Sequence, residues 1–111
     1  MRYYSRYAPD SRKRLQYLIN ALGRHETLVA RYYLSRHAYV AAINRAQTAL
    51  KEFPDTPAQE DALGILVHAN QALGLNEASE DARKVLSLNY PESPWLKGIP
   101  DIRPAWWKFW N

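Results

Sequence analysis

Metal binding and proton transfer both need titratable side chains that converge, and the three histidines of this chain do not. His25 and His68 fall within helical patterns and His37 falls in a turn. None stands at ligand spacing from a second histidine or from a carboxylate pair. The absence of cysteine removes disulfides, thiolate zinc sites, thiol nucleophiles and lipidated cysteines, and leaves the redox compartment open. Gly64 and Gly74 stand alone in helical context, so there is neither a glycine-rich phosphate loop nor a nucleophile elbow. These residues point to no enzyme, no metal and no cofactor.

The chemistry that remains is ionic and aromatic. The net charge is +4 with pI ≈ 9.5. It is placed unevenly: residues 1–37 carry eight basic against two acidic side chains, and the remainder seven against nine. Such an amino-terminal third could steer an acidic partner, lipid head groups or nucleic acid, or it could be a solvated helix face. Arg12, Lys13 and Arg14 beside Tyr3, Tyr4 and Tyr7 could neutralise phosphates, but no groove-reading or base-stacking fold accompanies them, and nucleic acid is not expected. At the other end, Trp95, Leu96, Ile99, Ile102, Trp106, Trp107, Phe109 and Trp110 are spaced by Pro100 and Pro104, and all four tryptophans lie here. Three roles stay open for Trp106, Trp107, Phe109 and Trp110: a cap on the preceding helices, an anchor in a partner's groove, or an aromatic foot at a membrane interface.

Helices must position these groups. At 111 residues, 47% apolar and with four glycines, the chain has the composition of one packed domain rather than of a disordered segment. No apolar run approaches the roughly 20 residues needed to span a bilayer, and residues 1–7 lack the apolar stretch of a signal peptide. Leu15, Leu18, Ile19, Leu22, Val29, Ala30, Tyr33 and Leu34 recur at three-and-four spacing, which predicts a long helix from Ser5 or Asp10 to about Arg36. A second stripe, Val40, Ile43, Ala46, Ala49, Leu50 and Phe53, stops at Pro54. Thr56 with Pro57 and Glu60 reads as the capped start of a third helix, which continues through Leu63, Leu66, Ala69, Ala72 and Leu73 and closes at Gly74. A fourth runs from about Asn76 to Asn89 with Ala78, Ala82, Val85 and Leu86 on one side, and Pro91 ends it.

Connections this short force antiparallel neighbours, so the expected fold is all-α: two stacked helical hairpins with an irregular aromatic carboxy-terminal tail. Residues 1–94 form the repeat domain, with repeats at about 11–54 and 56–91, and residues 95–111 the tail. Phe53-Pro54-Asp55-Thr56-Pro57 recurs as Tyr90-Pro91-Glu92-Ser93-Pro94, 37 residues later, which points to a solenoid. Ala30, Tyr33, Ala42, Ala49 and Pro54 stand at the intervals of the tetratricopeptide pattern, in which small residues let paired helices approach. Ala78 and Val85, 36 residues after Ala42 and Ala49, are the expected counterparts in a looser second unit. The first unit departs at Glu26, where the pattern has tryptophan, and at Ala46, where it has a large aromatic.

Residues 29–45, Val-Ala-Arg-Tyr-Tyr-Leu-Ser-Arg-His-Ala-Tyr-Val-Ala-Ala-Ile-Asn-Arg, followed by Phe53-Pro54-Asp55-Thr56, resemble the carboxy-terminal half of the BamD (ComL) family. Lys13-Arg14-Leu15 and Asp61-Ala62-Leu63 fit it too, so the resemblance covers roughly residues 5–89. These are tetratricopeptide lipoproteins of the bacterial outer-membrane β-barrel assembly machine. The resemblance implies a periplasmic scaffold that supplies the last two of five repeats. The lipid anchor and the repeats that engage unfolded substrates would lie upstream. It implies docking to a POTRA domain of the barrel subunit BamA and to BamC- and BamE-like lipoproteins. The family arginine that pairs with an acidic residue of BamA matches Arg45, and Asn44, Arg31 and Tyr39 are the further partner-binding residues the match suggests. His37 departs from the family, which often has glycine there; histidine tolerates left-handed geometry better than most residues. The alternative reading is a generic tetratricopeptide module that binds or tethers peptides.

Overall fold

The computed structural model describes residues 9–100, with side chains from Ser11 onward. The described residues form four α-helices, α1 (Pro9–Ser35), α2 (Tyr39–Glu52), α3 (Ala58–Ala72) and α4 (Asn76–Asn89), followed by a 3-10 turn at Pro94–Leu96. Successive helices pack against each other and α1 also touches α3, so the expected all-α stack of two antiparallel hairpins is what forms. None of these helices is long and apolar enough to cross a membrane.

The two hairpin turns are the same object built twice. His37 (φ 62°) and Gly74 (φ 79°) both take the left-handed conformation. In the first turn the amide of Ala38 donates to Tyr33 O (2.9 Å) and that of His37 to Leu34 O (3.1 Å). In the second, Leu75 donates to Asn70 O (2.9 Å) and Gly74 to Gln71 O (3.0 Å). This paired bonding is a Schellman motif, which satisfies the last carbonyls of a helix while reversing the chain. Every participating residue has its counterpart 37 positions on.

That register corrects the second repeat. Ala42, Ala46 and Ala49 are fully buried on α2, which lets it pack closely on its neighbours. On α4 the buried residues are Ser79, Ala82 and Leu86, whereas Ala78 and Val85 are exposed. Ser79 and Leu86 therefore stand where Ala42 and Ala49 stand, 37 residues earlier, in the same register as Pro91 and Pro54. Serine obscured the pattern because its hydroxyl reads as polar. Buried, it donates to Val67 O (2.9 Å), which offsets the desolvation of the hydroxyl.

Two other expectations change. Thr56 does not cap α3: its buried hydroxyl donates to Phe53 O (2.7 Å), serving the exposed end of α2, and the capping position falls at Pro57 without a side-chain bond. The counterpart hydroxyl of Ser93 does act as a cap, accepting from the Trp95 amide (3.3 Å). The long stripe of α1 also splits. Ala30 and Leu34 are buried, but Leu15, Leu18 and Leu22 are 51%, 57% and 56% exposed. The first half of α1 extends past its neighbours, so spacing marked a stripe that nothing in the described chain covers.

At the centre lies α3, where Ala62, Ile65, Val67 and Ala69 are fully buried and Leu63 and Leu66 nearly so. A helix apolar on most sides belongs in the middle of a stack. It contacts α1, α2, α4 and the 3-10 turn.

Candidate docking site

Arg45 projects from the middle of α2, one residue after Asn44, and both side chains are exposed. Its neighbours Ala42, Ala46 and Ala49 face the core, so the packing of α2 dictates that position 45 points outward. Arg45 Nη1 lies 3.3 Å from Glu26 Oε2 on α1, with side-chain exposures of 46% and 20%. Glu26 occupies the place where the repeat pattern has tryptophan, and the ion pair shows what the substitution does: it orients the guanidinium instead of filling a cleft. A surface pair of this kind contributes only about 0–1 kcal/mol. The fork is thus aimed but not locked, and its remaining N–H groups can meet a second carboxylate.

Of the other three residues singled out from the sequence, only Asn44 shares a patch with it. Asn44 is adjacent, and its carbonyl accepts from Thr48 Oγ1 (2.9 Å). Tyr39 begins α2, six residues before Arg45 and so about 9 Å away along the axis. Its ring packs against the core, while its hydroxyl meets His37 Nδ1 at 2.8 Å. The two rings are edge-on at 5.8 Å. Arg31 contacts residues of the segment after α4 rather than Arg45 or Glu26. Its guanidinium lies 5.1 Å from the Trp95 ring centroid and donates to Pro100 O.

Trp95 is the feature that spacing did not place. Composition groups it with the tail, but it is 1% exposed and packs against α3 at Gly64. A Cβ on Gly64 would come within 2.2 Å of the indole Cγ and Cδ2, so only glycine admits the ring. The indole N–H donates to Asp61 Oδ1 (2.9 Å). His68 Nε2 is 3.0 Å from Trp95 O, and because a carbonyl only accepts, Nε2 carries the proton. A signal was present: a glycine in mid-helix costs about 1 kcal/mol relative to alanine and needs a packing reason. His25 is exposed on α1, apart from this cluster. Among the described residues no group of three His, Cys, Asp or Glu could hold a metal ion. Trp106, Trp107, Phe109 and Trp110 lie outside the described residues.

Two hairpins stacked at a 37-residue period, with one helix face left to solvent around an aimed arginine, define a tetratricopeptide-like repeat module. The chain belongs to the YfiO family of outer membrane lipoproteins, whose model matches residues 2–86. It is similar to the outer membrane protein assembly factor BamD of Neisseria meningitidis serogroup A, with 44% identity over 109 residues, covering 96% of this chain and 40% of that protein. BamD of Xylella fastidiosa strain Temecula1 is 44% identical over 94 residues, 85% of this chain and 32% of the relative. BamD of Vibrio cholerae is 41% identical over 85 residues, 77% of this chain and 35% of the relative. The resemblance carried by residues 29–45 and 53–56 is borne out, and the chain spans about 40% or less of the length of these relatives.

Proposed function

We propose that this chain is a non-catalytic scaffold for outer-membrane protein assembly that docks a POTRA domain of the barrel subunit through the outer face of α2. Accessory lipoproteins of the BamC and BamE kind are further partners, and the site of action is the periplasmic face of the outer membrane. Family membership and the assembly-factor names of the relatives support the coarse role. The observation that carries the finer one is Arg45, the match to the family's pairing arginine, presented 46% exposed and oriented by Glu26.

A planar guanidinium donates to a carboxylate in bidentate fashion and stays charged on burial, so a partner's acid can share the fork with Glu26. Once the interface closes, losing one member of such a pair costs about 2–5 kcal/mol. Asn44, exposed beside Arg45, extends the surface. Arg31 is engaged within the chain and contributes by fixing α1 rather than by reaching outward.

Calorimetric titration of the chain against the cognate POTRA fragment, and in parallel against a library of short unstructured peptides, tests the reading. Saturable binding to the POTRA fragment alone is expected. Binding to peptides with no POTRA affinity would replace it with the generic peptide-binding module.

A further inference from the structure

Residues 93–100 lie on the helices in the manner of a bound peptide. Their backbone carbonyls are taken by side chains from three different helices: Trp95 O by His68 of α3 (3.0 Å), Leu96 O by Arg83 Nη1 of α4 (3.2 Å), and Pro100 O by Arg31 of α1. One side chain is the anchor. Trp95 is 1% exposed, is floored by Gly64 and lies 5.1 Å beneath the Arg31 guanidinium. Around it the segment faces water, with Pro94, Lys97 and Ile99 exposed. Beyond the single 3-10 turn it has no regular structure of its own. Side-chain donors on backbone carbonyls plus one deep aromatic anchor are how grooves read extended peptides.

We propose that this face of α3, flanked by Arg31 and Arg83, is a binding slot for a tryptophan-bearing peptide segment. The chain fills it from its own residues 93–100, and a competing segment of the same chemistry can exchange for them. The slot selects tryptophan over phenylalanine. Its depth is set by Gly64, which leaves no room for a Cβ beneath the ring, and Asp61 Oδ1 waits at 2.9 Å for an indole N–H that phenylalanine lacks. A partly buried carboxylate set against an aromatic ring with no donor loses that hydrogen bond and keeps part of its desolvation cost. Covalent attachment keeps the slot closed, because a short tether holds its own segment at an effective concentration in the millimolar range. The residues that line the slot include none of Arg45, Glu26, Asn44 and Tyr39, so it is separate from the docking surface proposed above and stands or falls independently of it.

The test uses the full chain with Trp95→Ala, which empties the slot, and as probe a fluorescein-labelled synthetic peptide with the sequence of residues 92–100. By fluorescence anisotropy, a Trp95→Ala chain of wild-type helicity binds the peptide about tenfold or more tighter than wild type does. The same peptide carrying phenylalanine for tryptophan binds about tenfold more weakly. Adding Gly64→Ala to the Trp95→Ala chain removes binding. A helical Trp95→Ala chain that takes the peptide no better than wild type would overturn the slot, and equal binding of the two peptides would overturn its selectivity for tryptophan. Should Trp95→Ala unfold, hydrogen exchange on the wild-type chain decides. The Leu96 and Lys97 amides, bonded to Ser93 O and Pro94 O, must exchange through an opening that leaves α3 protected. If they exchange only together with α3, the segment is fixed core and the proposal fails.

Discussion

Arg31 and Arg45 lie within the same seventeen-residue stretch that resembles the BamD family, yet the fold gives them opposite tasks. Arg31, partly buried, spends its guanidinium inside the chain on the Trp95 ring and the Pro100 carbonyl. Arg45 stands 46% exposed with one carboxylate 3.3 Å away. An arginine becomes a structural clamp or an exposed ionic group according to what the fold places opposite it. For Arg31 that is a tryptophan admitted by Gly64, and for Arg45 it is Glu26 and solvent. Residue type alone does not separate the two.

The contrast is breakable, and the inner region should give the larger effects on stability. Trp95→Ala empties a fully buried aromatic site and should destabilise the chain by about 3–5 kcal/mol, read as a fall in Tm of ten degrees or more. Gly64→Ala forces a methyl into the indole and should cost about 1–3 kcal/mol in urea denaturation. If it costs nothing, the ring does not lie where the structure has it. Arg31→Ala removes a cation–π contact and a charge-assisted bond, an expected loss of about 1–2 kcal/mol by the same assay. His37→Gly relieves a left-handed non-glycine residue but forfeits the contact with Tyr39, so a net gain of about 0.5 kcal/mol is expected; a lower Tm would show that the Tyr39 contact outweighs the backbone. At the small end, Arg45→Ala should change stability by no more than about 0.5 kcal/mol, since it loses only a surface ion pair. A loss matching that of Arg31→Ala would erase the distinction.

How far the sequence discloses this arrangement differs between its parts. The four helices follow from apolar spacing, and their ends from Pro54, Gly74 and Pro91, because those residues act locally through backbone geometry. The 37-residue period is visible in the repeated aromatic-proline motif. It was lost on α4, where Ser79 replaces an alanine and its polarity masks a buried position. Thr56 is ambiguous for a related reason: a hydroxyl beside a proline can cap the helix ahead or serve the carbonyl behind, and only the path of the loop decides. The outward orientation of Arg45 follows from the buried alanines beside it. The bond to Glu26, nineteen residues away, does not, because it depends on how α1 and α2 cross. The seat of Trp95 was hidden most deeply. It joins residues of α1 and α3 through a segment of irregular backbone, and only the mid-helix Gly64 hinted at it.

The most direct measurement of the central claim is charge reversal at Arg45, with affinity for the cognate POTRA fragment followed by calorimetric titration and stability by thermal unfolding. Docking through α2 requires Arg45→Glu to weaken binding by more than about tenfold, while the Tm stays within a few degrees of wild type. Unchanged affinity in a stably folded Arg45→Glu chain would contradict it and remove α2 as the docking face.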